Sequence, residues 1–424
     1  MSNFSTFDYQ QLTELSQTIR ELLSTTPYNP PQSHDVSIKS LIESLLPPKT
    51  IEKSNTFFSQ PQVRDFSMCC ALLSSAIDSN SPYTNWIPQQ LSIAANNAFR
   101  ALSKAIYGDS DELLSSEKKL VIELMPEVLP LINNTIKESS TSGSDDGDEI
   151  TAASARVPLG YAIVAAYQFR WFVSQVDYPH LGKVCGLVIP CGLTTLDHWS
   201  SEVKGQGMIS FIHLAKNVNV AELGGFGDVI LDACCQNIVS SDEIWQHAVE
   251  MSVLFVTSLQ KKNPRSTWFE KLLNEMLGHL ERQPRDKERR IIWLRHIDPL
   301  FSCMGLVLLA HFRRLFPLLF HWIHADDNET VLLVLEKIRA IVKLTWIRSS
   351  PHTVRLVDEL AILYKEAAMK TAREEIRSRI CQIFILLQQC KGLHFNTTWE
   401  KYKDDQNLRT LVQSIAGNAT TVTQ

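Results

Sequence analysis

Polar turns recur along the second half of the chain at nearly equal intervals, and this spacing constrains the fold more than any other feature. Successive turns lie 45, 44, 40 and 45 residues apart, marked by Asp197, Asp242, Asp286, Asp326 and Thr371. Units of about 40 to 47 residues are typical of HEAT and armadillo repeats, each containing antiparallel helices. One such unit cannot bury all of its apolar surface, so neighbouring units must stack. The spacing therefore predicts an all-α fold, an elongated α-solenoid of HEAT- or armadillo-like helical repeats.

The distribution of apolar residues favours helices over strands. In residues 331–346 apolar side chains recur near every third or fourth position, and residues 353–368 and 374–388 show the same pattern. Glycine accounts for only 16 of 424 residues and sustained alternation of apolar and polar residues is hard to find, which disfavours hairpin-based folds. In the N-terminal part, periodicity and proline-bearing joints predict five helices, over residues 9–23, 35–45, 63–77, 88–106 and 116–136.

An acidic, serine-rich stretch separates two helical regions. Residues 138–149 read ESSTSGSDDGDE and contain no hydrophobic residue, a composition typical of a disordered linker. We therefore predict an N-terminal helical region over 1–137, a disordered loop over 138–152 and a repeat region over 153–424. Ser142 and Ser144 are candidate phosphorylation sites, since Ser142 has Asp145 three residues further on, an arrangement that acid-directed kinases prefer. An unmodified spacer is the alternative.

Charge and cysteine content limit the classes of function. Lys and Arg number 41 against 46 Asp and Glu, and a net charge of -5 is too small and of the wrong sign for a protein that binds nucleic-acid phosphates. No apolar run approaches the roughly 20 residues needed to cross a bilayer, and the start has no secretory pattern. The nine cysteines show no CxxC pair. We expect reduced thiols, no membrane partner, and a cytoplasmic location with the nucleus left open as a second compartment.

Two small clusters are candidates for a ligand site, and neither fits a known motif. The segment from Gly224 to Gly227 lacks both a preceding strand and a following Gly-Lys-Ser/Thr sequence, so it predicts a turn into a helix and not a phosphate-binding loop. Four residues of the types that bind zinc lie close in sequence: His180, Cys185, Cys191 and His198. Their spacing matches no standard zinc motif, and the two cysteines stand among apolar residues, as buried structural cysteines do.

No signature of an enzyme occurs in the chain. GxSxG, HExxH and Walker sequences are absent, and His321 with His324 lacks a third ligand and a base, so we expect no catalytic residue, cofactor or metal. One stretch is rich in basic residues: Arg282, Arg285, Lys287, Arg289, Arg290 and Arg295. Because Glu281 and Glu288 are interleaved with them, the stretch predicts a solvated helix face, with contact to an acidic partner as the alternative.

One block carries more than generic helical periodicity. It reads IPCGLTTLDHW over residues 189–199, EVKGQG over 202–207 and FIHL over 211–214, that is, a helix, a polar turn and a second helix entered through Val203-Lys204. This block resembles the central repeat of the Tel-two-interacting protein two family, in which a leucine-rich helix ends in an Asp-Asp-Tyr-like turn and a Val/Leu-Lys-x-x-Gly helix follows. The similarity is best over residues 180–259 and extends weakly to about 389. His198 departs from the pattern, because a second acidic residue is common there.

The resemblance implies a non-catalytic subunit of the three-member Tel-Tti-Tti (TTT) co-chaperone complex. Its expected partners are the other TTT subunits, the ninety-kilodalton heat-shock chaperone machinery, and client phosphatidylinositol-kinase-related protein kinases. The turn supplies three candidate partner contacts, Asp197, Trp199 and Lys204. A purely structural reading gives Asp197 a capping role, Val203 a core position and Lys204 an acidic neighbour. A HEAT-repeat adaptor of another class, a transport receptor or a phosphatase scaffold, is the alternative function.

Overall fold

The computed structural model describes residues 9–29, 37–48, 60–77, 81–108, 114–140, 157–239, 242–347 and 350–421. Every regular element within these ranges is helical, which confirms the predicted all-α class. The chain forms two compact units, Met1–Ala233 and Cys234–Gln424. Ser142 and Ser144 lie outside the described residues, as does most of the predicted linker, so the three-part division remains a prediction.

Unit 1 consists of helices packed in two layers. The helices of this unit are α1 (Tyr9–Thr25), α2 (Ile38–Leu45), α3 (Gln60–Ser75), α4 (Gln89–Tyr107), α5 (Ser116–Ser139), α6 (Leu159–Ser174), α7 (His180–Lys183), α8 (Cys185–Asp197) and α9 (Ser201–Asn217). In one layer α6 packs between α3 and α9, and in the other α5 packs between α4 and α8. The five helices predicted in the N-terminal part are all present, with ends displaced by a few residues.

Helix α6 forms the centre of unit 1 because it is apolar on nearly every side. Ile163, Phe169 and Phe172 are almost fully buried. No residue from Tyr161 to Val173 is exposed, and even the polar Gln168 is enclosed. The Gln168 side chain donates to the Met68 carbonyl of α3 at 3.0 Å, which satisfies a polar group inside the core. A helix of this composition requires neighbours on several faces, which α3, α5 and α9 supply.

Unit 2 repeats the same arrangement. Helix α10 (Gly227–Ile238) includes the boundary between the units, and the following helices are α11 (Trp245–Leu259), α12 (Thr267–Arg282), α13 (Lys287–His296), α14 (Asp298–Met304), α15 (Phe312–Trp322), α16 (Asn328–Thr345), α17 (Ser350–Glu366), α18 (Arg373–Trp399) and α19 (Arg409–Thr421). Helices α11, α13, α16 and α18 stack in one layer, and α12, α15 and α17 stack in the other. Each repeat therefore contributes one helix to each layer.

Hydrogen bonds between successive repeats have sequence separations of 44 and 38 residues, one inside and one just below the predicted window of about 40 to 47. The Trp245 indole donates to the Arg289 carbonyl, 44 residues later, at 3.1 Å. The Trp322 indole donates to the Pro284 carbonyl, 38 residues earlier, at 2.8 Å. All five marker residues fall in or beside a turn: Asp197 ends α8, Asp242 starts a short 3-10 segment, Asp286 caps α13, and Asp326 and Thr371 precede α16 and α18.

The basic stretch before and within α13 is exposed at Arg282, Arg285, Lys287 and Arg295, as predicted for a solvated face, but the prediction is wrong for its central residues, Arg289 and Arg290. Arg289 is only 3% exposed and forms ion pairs with Asp242 and Asp286. Arg290 pairs with Asp327 at 2.7 Å. Asp286 and Asp327 also cap α13 and α16 through their side chains, so each carboxylate serves a helix N-terminus and an arginine together. These pairs connect adjacent repeats of unit 2.

The 25-residue stretch Asp298–Trp322 is long and apolar enough to cross a membrane by length and composition alone. Half of its most apolar window is buried inside the protein. The stretch is interrupted at Gly305, whose positive φ of 53° ends α14, and Leu300, Phe312 and Leu315 are core residues of unit 2. These features are typical of core helices in a folded domain.

Candidate partner-binding turn

The predicted turn lies between α8 and α9, in unit 1. Helix α8 ends at Asp197, and α9 begins at Ser201, so three residues make the connection. The helix, polar turn and second helix expected from the sequence block are therefore confirmed. Leu196 and Val203, which flank the turn on the two helices, are 2% and 0% exposed and anchor it in the core. Val203 thus has the core position of the structural interpretation.

Small residues allow α8 and α9 to approach closely behind the turn. A Cβ atom on Gly207 would lie 2.8 Å from Cβ of Thr195, which is shorter than real Cβ contacts. A Cβ on Gly192 would collide with the Phe211 ring. Thr195 itself is fully buried and donates its hydroxyl to the Gly192 carbonyl at 2.6 Å. The glycine in the Val-Lys-x-x-Gly pattern is therefore required by packing between the two helices.

Exposure alternates sharply along the turn. Asp197 is exposed and Trp199 is 60% exposed, whereas His198 and Ser200 are buried. A tryptophan with most of its surface in water is uncommon, because burial of an indole stabilises a fold by several kcal/mol. Asp197 makes no hydrogen bond or ion pair within the described part of the chain. Two of the three candidate contact residues, Asp197 and Trp199, are thus exposed to solvent.

The buried His198 side chain stabilises the turn through a hydrogen bond. Its Nδ1 accepts a hydrogen bond from the Ser200 backbone N–H at 3.0 Å, so the ring proton of the neutral form is on Nε2. Burial, reinforced by the Lys204 charge, lowers the pKa of His198 to about 4, although Asp197 acts in the opposite direction. The imidazole is therefore neutral at physiological pH. His198 accepts a backbone N–H of the turn, which the structural interpretation assigned to Asp197, and the Asp197 carboxylate is exposed to solvent.

Lys204 and Glu202, in the first turn of α9, complete the surroundings of the turn. Lys204 is half-buried, and its burial lowers its pKa while the Asp197 carboxylate opposes that change. Glu202 accepts a hydrogen bond from the Tyr167 hydroxyl of α6 at 2.5 Å. This bond ties the start of α9 to the central helix of unit 1. The turn is consequently held by α6, α8 and α9 together, which makes it a rigid surface feature.

Within the described residues, no group of three or more His, Cys, Asp or Glu side chains is arranged to hold a metal ion. Cys185 and Cys191 are both buried, and burial raises the pKa of Cys185 to about 11, which disfavours the thiolate that zinc binds. His321 is exposed, whereas His324 contacts two carboxylates, Glu359 at 3.0 Å and Glu366 at 2.7 Å. In this structure the two cysteines are therefore core residues, and His324 is paired with carboxylates.

The glycine cluster forms the turn that the sequence predicts. Gly224 has a positive φ of 55°, a conformation that glycine adopts without strain, and Gly227 begins α10. The sequence did not predict the hydrogen bond that His198 accepts from Ser200 or the bond between Tyr167 and Glu202. Neither carries a sequence signal, since a buried histidine and an exposed one look the same in a single chain, and Tyr167 is 35 residues from its partner.

Comparison with known proteins gives relatives of two kinds. No protein-family model matches the chain. The uncharacterized protein At2g39910 of Arabidopsis thaliana is 52% identical over 412 residues, covering 96% of this chain and 94% of the plant protein. Human TELO2-interacting protein 2 is 24% identical over 241 residues, covering 52% of this chain and 47% of the human protein. The chain therefore spans about half the length of that human relative.

A solved structure supports the fold. A chain from the structure of Kap95p with RanGDP superposes with a TM-score of 0.52 at 12% identity, covering 96% of this chain and 44% of that one. At this level of identity the likeness concerns the helical repeat fold alone. It agrees with the stacked helix pairs of both units and with the 38- to 44-residue separations of their tryptophan hydrogen bonds.

Proposed function

Because the chain belongs to the family of the Arabidopsis protein At2g39910 and is a helical repeat protein similar to TELO2-interacting protein 2, we propose that it is a scaffold subunit of a TTT-type co-chaperone complex. In this role it binds the other subunits, assists the ninety-kilodalton heat-shock chaperone, and supports the maturation of phosphatidylinositol-kinase-related protein kinases. We also propose a cytoplasmic location for the complex, with the nucleus as a second compartment.

The observation that carries the proposal is the similarity to TELO2-interacting protein 2 over about half of the chain. The structure supports it in a second way, since the turn in the resembling block presents Trp199 and Asp197 to solvent on a rigid base. Exposed aromatic side chains on rigid elements are frequent anchors of protein interfaces. The proposed contact residues are Asp197, Trp199 and Lys204.

The proposed mechanism is binding without bond chemistry. A scaffold changes the population of its partners' states by binding some states more tightly than others. If unfinished kinase clients are held in a state from which they can be completed, their loss to proteolysis falls. Nucleotide hydrolysis in this scheme belongs to the chaperone partners.

Affinity purification of the tagged full-length chain, followed by mass spectrometry, tests the proposal. The expected co-purifying proteins are the other TTT subunits and the chaperone. Val203→Asp places a charge in a fully buried position, so it should unfold the α8–α9 region and abolish complex formation. Trp199→Ala should preserve the fold and weaken assembly, as should Lys204→Ala if the turn faces a partner.

Trp346→Ala is the matched control for Trp199→Ala, because Trp346 is 59% exposed and lies in unit 2. Recovery of the TTT subunits should be retained with this control. Transport cargo, nuclear pore components or phosphatase subunits in place of TTT subunits would overturn the proposal and favour the adaptor of another class.

A further inference from the structure

The α8–α9 turn has a surface chemistry that selects one kind of side chain. We infer that it receives an arginine of a protein partner, stacked on the Trp199 indole and paired with the Asp197 carboxylate. This inference rests on the proposed function in assigning the turn to a partner interface, and it adds the chemistry of the residue that the partner contributes.

The Trp199 indole contacts one neighbouring ring and is otherwise largely exposed to solvent. The His198 imidazole stacks against Trp199, with ring centroids 5.5 Å apart and an interplanar angle of 26°. Since His198 is neutral, that contact places no positive charge against the ring. The side chain nevertheless remains 60% exposed, so the rest of the indole is available to a ligand. Among the aromatic side chains, tryptophan attracts cations most strongly.

The charge next to the indole is that of the Asp197 carboxylate, which interacts electrostatically with Lys204 without forming an ion pair with it. Asp197 is exposed and has no ion pair among the described residues, whereas Glu202 is engaged by the Tyr167 hydroxyl. Lys204 is half-buried beneath the turn and forms no salt bridge with Asp197 in the described structure. A cation from a partner would therefore meet one exposed carboxylate and one exposed aromatic ring, two residues apart in the chain.

Arginine fits these two groups better than lysine does. The guanidinium group is planar, so it stacks on an indole while its edge donates two parallel hydrogen bonds to a carboxylate. It is also more weakly hydrated than an ammonium group and loses less on removal from water. A lysine can serve only one of the two groups well. The turn therefore distinguishes between the two basic side chains.

The test uses the full-length chain in its native complex. A photoreactive benzoylphenylalanine in place of Trp199 is activated after assembly, and the cross-linked partner peptide is identified by mass spectrometry. We expect a peptide that contains an arginine at the cross-link or within one helical turn of it. The same amino acid in place of Trp346 reports unspecific cross-linking. No cross-link at position 199, or a peptide without arginine, overturns the inference.

A double-mutant cycle then measures the contact. Replacing the partner arginine with Ala, or Trp199 with Ala, should each weaken binding about 10-fold, and the double variant should lose little more than either. Replacing that arginine with Lys should cost nearly as much as Ala. Asp197→Asn, which removes only the charge, should weaken binding and reduce its dependence on salt. Equal affinity with arginine or lysine, or fully additive losses, overturns the inference.

The outcomes separate this inference from the proposed function. An arginine contact made by a protein outside the TTT complex keeps the inference and refutes the proposed function. A TTT subunit that cross-links at position 199 without an arginine keeps the proposed function and refutes the inference.

Discussion

Gly207→Ala is a direct test of the packing that positions the turn. Gly207 lies in α9 and faces α8, and an added Cβ would lie 2.8 Å from Cβ and 2.9 Å from Oγ1 of Thr195. Thr195 cannot move away freely, because it is fully buried and its hydroxyl is bonded to the α8 backbone. The two helices must therefore separate by a few tenths of an ångström or more.

Two opposing terms set the expected magnitude. Overpacking of a well-packed interior costs about 1 to 3 kcal/mol. Alanine regains about 0.5 to 1 kcal/mol over glycine within a helix. With mid-range values of about 2 and about 0.75 kcal/mol, the net loss in the free energy of unfolding should be about 1.25 kcal/mol. For a unit of 233 residues this corresponds to a fall in Tm of roughly 2 to 5 °C.

Gly186→Ala provides the matched control, since this glycine is exposed on α8 and an added Cβ would meet nothing within 4 Å. It should leave Tm unchanged or raise it slightly. Thermal unfolding with hydrogen exchange of the α8 and α9 amides distinguishes the two variants, and Gly207→Ala should exchange faster in both helices. If Gly207→Ala matches the wild type or Gly186→Ala in both measurements, the close packing of α8 and α9 is incorrect.

Three further predictions concern charge and burial. Because the pKa of His198 falls from 6.5 to about 4 on folding, the unfolded chain binds the extra proton between these values. The free energy of unfolding should therefore drop by up to about 3 kcal/mol as the pH falls from 6.5 to 4. Urea unfolding at several pH values should show a weaker dependence of this free energy on pH for His198→Asn, and an identical dependence would contradict the assignment. Arg290→Ala removes the closer cationic partner of the largely enclosed Asp327, leaving Lys287 at 4.0 Å, and should cost about 2 to 3 kcal/mol. Arg295→Ala removes an exposed pair and should cost under about 1 kcal/mol, so equal losses in urea unfolding would refute the distinction. Six of the nine cysteines are buried, so iodoacetamide should modify them only after unfolding, and their rapid labelling in the native protein would show that the core is open.

The sequence was sufficient to predict the features that depend on local chemistry. Helix periodicity, prolines and capping residues act over a few positions, and they place the N-terminal helices within a few residues of their observed ends. The turn spacing places Asp286 at the start of α13 because an aspartate is a favourable N-cap wherever it precedes a helix. Val203 could be assigned to the core from its apolar position in α9 alone.

The features that the sequence could not predict depend on groups far away in the chain. Arg289 looks solvated among its charged neighbours, but it is buried because Asp242, one repeat earlier, supplies a carboxylate. His198 and Asp197 could each accept a backbone N–H of the turn, and in the structure His198 does so. The exposure of Trp199 likewise carries no sequence signal, although its ring stacks on the buried His198 imidazole.

The abundance of phosphatidylinositol-kinase-related protein kinases after acute depletion of this chain tests the proposed function most directly. If the chain is a TTT-type scaffold, these kinases should decline over several protein half-lives while their messenger levels stay constant, because incompletely assembled clients are removed by proteolysis. Re-expression of the wild-type chain should restore them, and the Val203→Asp chain should not. Unchanged levels of every such kinase would contradict the co-chaperone role.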